Sequence, residues 1–506
     1  SSAIVFTSKA AFTYPVIRGN DYLNYFLKKI SFEKEVAITT LNADCRAQSE
    51  TAKCNLSDVP FWKILMRRSL NQFLAWRTQK VSSYPDCVAY GALKHLAPVM
   101  LELKKRHFNV AIYDYAPHKD FVLFCLRHRI SYLTPAVFEK GKDNSCSAFC
   151  PRAEFEKALE IGRNNGVFNF GELDLNDAVD KFVKPGICDY LNVLVKERDV
   201  LSRFIDRLHP KTVIVDEDYA LKGGFFSEYM RYRGVPVFCI SHATVPFLCD
   251  VPRDAQKFYM SKTLVGSQYE RHTYGQKGWD VSQIIITGIP RYDRFRKLTA
   301  FQPARRRNKN IRLLYPVACY WRHSPMDFGY LGSHYFVFGN TSIPAFQGVL
   351  KAIDGLSVDL VVIPHNLEWD TGWRRIVRES GCGVNVHLLS GGADFFQELA
   401  RSDALIISYL STSILEAAMC HKPVFMFMDK KYDGYSVNDY IENKYVNFTT
   451  SIVELREALS ELCDKGSELF WSLHQPLHQN YFLGKQDGDS TNRVVDILIK
   501  SRSQHV

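Results

Sequence analysis

A rhythm of short, uninterrupted apolar runs separated by helix-like stretches limits what this chain can fold into more than any other feature of its sequence. Thr212–Val215 is the clearest run, closed by Asp216, Glu217 and Asp218. A helix-like stretch follows near Phe225–Arg233, then a turn at Gly234 and a run at Pro236–Ile240. Strand, helix and strand at this spacing predict βαβ units on a parallel sheet. Continuous rather than alternating apolar runs predict strands covered on both faces. Earlier candidates are Ala3–Phe6, Val36–Leu41, Val110–Tyr113 (followed by Asp114) and Tyr132–Leu133. The rhythm restarts after the basic, polar stretch 305–310. Runs follow at Ile311–Tyr315, Leu360–Ile363, Val384–Leu388, Ala404–Ile407 and Val424–Met428, with helices at Phe395–Arg401 and Ile414–Met419. The expected fold is α/β, two Rossmann-like doubly wound domains facing a central cleft. Their expected spans are 1–298 (with helical insertions) and 299–475, with a closing helix in 476–506 that returns to the first domain.

Composition fits this and excludes other classes. Of 506 residues, 46% are hydrophobic and 23% charged, so the chain has the apolar content a disordered protein lacks. No uninterrupted apolar run reaches the roughly 18 residues of a membrane-crossing helix. The first residues show no basic stretch followed by an apolar one, so a secretion signal is not expected. The 13 cysteines are scattered and odd in number, which predicts free thiols in a reducing, cytoplasmic setting. Cys146 and Cys150 are close, but no second pair completes a zinc set, and no metal is expected. In such a setting the sequons at Asn55, Asn340 and Asn447 carry little weight. The charge of +10 favours anionic partners. Nucleic acid is the non-enzyme alternative, but no RNP, zinc-finger or helix-turn-helix pattern accompanies the charge.

In open parallel sheets ligands sit beyond the carboxyl ends of the strands. The most informative residues there are Ser408-Tyr409-Leu410-Ser411-Thr412-Ser413-Ile414-Leu415-Glu416-Ala417-Ala418, after the run Ala404–Ile407. Three hydroxyl residues precede a helix start, where free amides and the dipole attract an anion. Glu416, one turn in, is placed to accept from two ribose hydroxyls. The same residues also read as a capping box, with Ser413 capping and Glu416 reaching back. Pro364-His365-Asn366 ends another run, and Gly288-Ile289-Pro290-Arg291-Tyr292-Asp293 forms a turn after Ile284–Thr287.

Taken in order, Gly288–Asp293, Pro364-His365, Ser411–Ala418, Lys422-Pro423-Val424 and the tail Asp487–Asp496 resemble the GT-B superfamily. The resemblance is to the branch of CDP-glycerol glycerophosphotransferases and related capsule and lipopolysaccharide transferases, and covers roughly residues 212–500. It implies that 1–298 is the acceptor side and 299–475 the nucleotide-donor side. Ser411, Thr412 and Ser413 would hold the donor phosphate, Glu416 the ribose, and His365 the phosphate or leaving oxygen. Gly288–Asp293 would be the hinge. Related transferases carry His-Gly where this chain has His242-Ala243.

His242, Asp216 and Glu217 are the candidates for chemistry on the first domain. A histidine near neutral pKa can take a proton from an acceptor hydroxyl. Crowded acids can raise one pKa into the range of a general base, and between Asp216 and Glu217 the sequence does not choose. Asp114 is a weaker candidate of the same kind. The leaving nucleotide needs donors or positive charge, and Arg291, Arg322 and His323 add these, so no cofactor beyond the donor itself is expected. In Phe61–Lys80, Trp62, Leu65, Met66, Leu70, Phe73 and Trp76 recur at helical spacing with Lys63, Arg67, Arg68, Arg77 and Lys80 elsewhere on the wheel. Such a helix either lies on an anionic bilayer or docks into its own domain. The expected activity is sugar transfer from a CMP- or CDP-linked donor to a surface polysaccharide or lipid-linked glycan, at the cytoplasmic face of the membrane. Polyol-phosphate transfer and sugar-nucleotide epimerisation are the enzyme alternatives.

Overall fold

A computed structural model describes residues 84–503, apart from 115–118, 136–137, 139–150, 167–168, 171–172, 175, 181–183, 217–220, 242–261, 277, 296–309, 318–331, 365–370, 390–392, 409–410 and 429–436. The runs Ala3–Phe6 and Val36–Leu41, the Phe61–Lys80 helix, Cys146 and Cys150 lie outside the described residues.

In chain order the strands are β1 (Cys87–Tyr90), β2 (Val110–Tyr113), β3 (Ser131–Leu133), the hairpin β4 (Asn169–Phe170) and β5 (Leu173–Asp174), β6 (Thr212–Val215), β7 (Val237–Ile240), β8 (Lys262–Val265) and β9 (Ile284–Ile286). Then come β10 (Ile311–Pro316), β11 (Val358–Ile363), β12 (Asn385–Leu388), β13 (Ala404–Ile407), β14 (Val424–Phe427) and β15 (Asn447–Thr449). One sheet has the order β3-β2-β1-β6-β7-β8-β9 and the other β12-β11-β10-β13-β14-β15. Both run outward from a first strand in one direction and then in the other, the doubly wound pattern that the sequence predicts. Two switch points result, between β1 and β6 and between β10 and β13.

Burial explains the strands. β6, β7, β13 and β14 are buried at every position, as continuous apolar runs in a covered parallel sheet should be. In the second sheet alternate residues feed two separate cores. Leu313, Leu360, Val362, Ala404, Ile406, Phe425 and Phe427 face one, and Leu314, Val361, Ile363, Leu405, Ile407 and Met426 the other. The edge strand β12 is half wet, with Asn385 and His387 exposed.

Contacts divide the chain into two compact units, one of residues 1–88, 109–211 and 324–328, the other of 89–108, 212–323 and 329–506. In the smaller unit β2 pairs in parallel with β3, Tyr113 packs on Phe204 at 5.1 Å, and Phe138 meets Phe204 edge-on. In the larger unit β10 pairs in parallel with β11 and β13, and Leu313 stands opposite both Leu360 and Ala404. The last helix, Ser490–Ser503, packs on the Leu93–Lys105 helix. Arg106 donates to Asp496 (2.5 Å) and to Asn492 (2.9 Å). Asp293 caps that last helix, accepting from the amides of Ser490 and Thr491 and from the Thr491 hydroxyl. Among the described residues no helix is long and apolar enough to cross a membrane.

Candidate active site

Asp216 follows β6 directly and is 4% exposed. Its Oδ2 accepts the Ala92 amide at 3.0 Å and lies 2.6 Å from Nδ1 of His95, in the first turn of the Leu93–Lys105 helix. Gly91 joins β1 to that helix with φ +131°, and a Cβ there would stand 1.7 Å from Asp216 Oδ1. The turn therefore closes on this carboxylate only because residue 91 is glycine.

Arg291 sits in the 3-10 turn Pro290–Tyr292, just beyond Gly288, whose φ of +78° bends the chain there. Its Nη1 lies 3.3 Å from His95 Nε2. Its Nη2 donates to Glu416 Oε1 at 2.6 Å and to the Tyr292 hydroxyl at 2.9 Å. The side chains of Arg291 and Glu416 are 10% and 5% exposed. Glu416 lies on the Ser413–Met419 helix, which follows β13. The Arg291 Nε–H is buried and meets no acceptor among the described residues. One guanidinium thus joins the carboxyl end of β1 and β6 to the carboxyl end of β13, and every member belongs to the larger unit.

The charges settle the histidine. Burial first, then the cations of Arg291 and Lys94, hold His95 well below the usual imidazole range. It is neutral at physiological pH. Arg291 has only donors, so Nε2 is the acceptor and the ring proton sits on Nδ1, facing Asp216. Arg291 stays protonated: burial opposes its charge, but Tyr292, Glu416 and Asp216 outweigh that and raise its pKa.

The hydroxyl-rich bend departs from the capping box that the sequence also allows. No capping box forms. Thr412 holds the N-cap place in helical geometry (φ −59°, ψ −19°), Ser413 is inside the helix, and Glu416 turns to Arg291. Nor are the first amides free. Ser413 N donates to Ser411 Oγ, Ile414 N to Ser411 O, and both Leu415 N and Glu416 N to Thr412 O. Hydroxyl side chains compete for nearby backbone, and here Ser411 takes an amide that an anion would have used. The Ser413 hydroxyl also donates to Ser411 Oγ, at 2.9 Å.

A second buried carboxylate lies along the same row of strand ends. Glu270, in the Gln268–Gln276 helix after β8, is fully buried. It accepts the Gly266 amide at 2.7 Å and the hydroxyl of Ser241, the residue just after β7. Burial pushes its carboxyl up to about 7, against the lowering effect of those two hydrogen bonds.

Of the sequence candidates, the structure brings Asp216, Arg291 and Glu416 together, with Ser411, Thr412 and Ser413 on the bend that carries Glu416. Glu217, His242, His365, Arg322 and His323 lie outside the described residues. Asp114 accepts the Tyr132 hydroxyl at 2.8 Å. Sequence reasoning missed His95, Gly91 and Glu270. The signal for the first two is Cys87-Val88-Ala89-Tyr90-Gly91, a short strand ending in glycine before a helical stretch. The signal for Glu270 is Ser267-x-x-Glu270 after a strand.

No protein-family model matches the chain, and no curated protein matches its sequence. Solved structures match its fold. UDP-GlcNAc 2-epimerase from Neisseria meningitidis, bound to UDP-GlcNAc, aligns over 82% of this chain and 99% of its own, with a TM-score of 0.51 and 13% identity. A UDP-N-acetylglucosamine 2-epimerase aligns over 83% and 97%, with a TM-score of 0.50 and 14% identity. At these identities the likeness is one of fold, the GT-B arrangement of two doubly wound sheets. It shows the fold alone and does not single out the CDP-glycerol branch.

Proposed function

We propose that the protein is a GT-B glycosyltransferase that moves a sugar from a nucleotide-activated donor to a surface-polysaccharide or lipid-linked glycan acceptor. The observation that carries this is the buried His95–Asp216 pair at the end of β1 and β6, tied through Arg291 to Glu416 at the end of β13. An imidazole whose Nδ1–H is held by a carboxylate presents Nε2 as a base, and Asp216 stabilises the imidazolium that forms when an acceptor hydroxyl gives up its proton. Asp216 is therefore the orienting group, which leaves Glu217 and His242 as candidates for acceptor contact. Glu416 holds the ribose. The hydroxyls of Ser411, Thr412 and Ser413, with His365 and Arg291, hold the phosphates and offset the charge of the leaving nucleotide without a metal.

The sequence resemblance favours a cytidine donor and glycerophosphate-type transfer as the alternative, and the described residues contain no feature that selects the base. The fold likeness favours one other reading, a sugar-nucleotide epimerase. Contact with the membrane through residues 61–80, on the cytoplasmic side, belongs to the same proposal.

Calorimetry with CMP, CDP and UDP, followed by transfer assays with sugar nucleotides and glycan acceptors, tests the proposal. Asp216→Asn and His95→Gln should each lower kcat by about 100-fold or more while changing nucleotide Kd little. Turnover of UDP-GlcNAc without any acceptor would favour the epimerase. Full activity in both variants would remove the dyad from the chemistry.

A further inference from the structure

Arg291 holds two groups that nucleotide-sugar transfer needs elsewhere. Glu416 would grip a ribose diol with both carboxylate oxygens, and here Oε1 already accepts from Arg291 at 2.6 Å, so the cation competes with the ribose for it. His95 can take a proton only at Nε2, and that lone pair faces Arg291 at 3.3 Å. A buried ion pair of this kind adds little stability compared with an apolar pair of the same shape, so its presence suits a switch better than a brace. The bend that should meet the phosphates has its first amides engaged, which leaves a phosphate in need of a cation. Arg291 has a planar fork of five donors, and its Nε–H meets no acceptor among the described residues.

We propose that Arg291 is a latch that a nucleoside diphosphate turns: ribose takes Glu416, the guanidinium moves onto the phosphates, and His95 Nε2 is released to the acceptor. This rests on the transferase proposal and adds to it that the base becomes available only when the donor is in place. Arg291 is then a positioning residue for His95 and a binding residue for the donor. No covalent step is involved; one set of charge-assisted hydrogen bonds replaces another.

The readout is the imidazole of His95. Among the described residues, the charged groups recorded as acting on it are Asp216 from the end of β6, Lys94 from its own helix and Arg291 from the 3-10 turn, with Tyr292 and Glu416 acting on Arg291 in turn. Of these, only Arg291 both repels its protonated form and moves in the proposal.

The experiment is a pH titration of the full chain labelled in histidine and followed by NMR, with the His95 signal assigned through His95→Gln. It is run alone, with saturating CDP or UDP, and with cytidine or uridine, which have the ribose and no phosphate. The His95 titration should move upward by about one pH unit or more with the diphosphate, as expected when a cation leaves contact range. Arg291→Met should show the raised value without nucleotide, and its preference for diphosphate over nucleoside should fall at least tenfold. Should Arg291→Met not fold, the wild-type titration decides alone. Diphosphate binding with an unmoved His95 overturns the latch and leaves the transferase proposal standing. Binding of none of CMP, CDP or UDP overturns both.

Discussion

Ser413-x-x-Glu416 and Ser451-x-x-Glu454 are the same local signal, and the protein uses them in opposite ways. At Ser451 a complete capping box forms. The serine is extended (φ −123°, ψ 154°), its hydroxyl accepts the Glu454 amide at 3.1 Å, and the Glu454 carboxylate accepts the amides of Thr450 and Ser451. At Ser413 the serine is already helical, and Glu416 reaches across to Arg291 instead. The difference is what each glutamate can reach. Glu454 faces water and local amides. Glu416 is buried beside a cation, and a charge-assisted bond to arginine, at about 1.5–3 kcal/mol, exceeds the roughly 1 kcal/mol of a cap. Ser267-x-x-Glu270 is intermediate. The Ser267 hydroxyl accepts the Glu270 amide, but the carboxylate passes Ser267 by and accepts from Gly266 and Ser241. A capping signal therefore reports a helix start reliably and the carboxylate's partner only when nothing stronger is nearby.

The largest expected effect comes from breaking the buried member of this comparison. Glu416→Ala leaves Arg291 in the interior without its counter-charge and should cost about 3–5 kcal/mol in a denaturant titration. Glu454→Ala, at the surface, should cost a small fraction of that. Adding Arg291→Met to Glu416→Leu should restore most of the lost stability and none of the nucleotide binding, because the two effects belong to one pair. Equal losses at Glu416 and Glu454 would mean that burial does not separate them.

The intermediate member is tested by pH. The Glu270 carboxyl titrates near 7 in the folded protein against 4.5 for an ordinary glutamate, chiefly through burial. The native state therefore holds this proton more tightly than the unfolded chain does. Its contribution to stability is greatest below about pH 4.5 and declines as pH rises through about 7, by about 3 kcal/mol in all. Glu270→Gln carries no such proton. The difference in unfolding free energy between Glu270→Gln and the wild type should swing towards the variant by about that amount between pH 4.5 and 8. A difference independent of pH would mean that Glu270 is ionised in the native state throughout.

Much of the fold was legible in the sequence because covered parallel strands are written as unbroken apolar runs. β6, β7, β13 and β14 are such runs, and β10 and β11 are broken only by Arg312 and Asp359 at their second positions. β1, β8 and β15 are not anticipated: Cys-Val-Ala-Tyr carries a single β-branched residue where Thr-Val-Ile-Val carries four, Lys-Thr-Leu-Val opens on a charge, and Asn-Phe-Thr is mostly polar. Their pairing partners supply what their own composition does not. The site followed the same rule. Asp216, Arg291 and Glu416 stand next to recognisable strands or turns and were picked out. His95 depends on β1, so missing the strand meant missing the histidine. The bond from Arg291 to Glu416 spans 125 positions and has no local trace.

The smallest effect separates the two serines. Ser451→Ala removes a true cap and should cost about 1 kcal/mol, seen as a lower Tm, with nucleotide affinity unchanged. Ser413→Ala removes no cap. It removes one hydroxyl bond to Ser411 and frees that oxygen's partner, so its effect on Tm should be the smaller of the two. Its effect on diphosphate affinity should be the larger, since the lost hydroxyl is one of the few donors the bend has to give once its amides are engaged. If Ser413→Ala lowers Tm as Ser451→Ala does and leaves diphosphate binding intact, the bend is a helix start and no more, and phosphate recognition falls to Arg291 and His365.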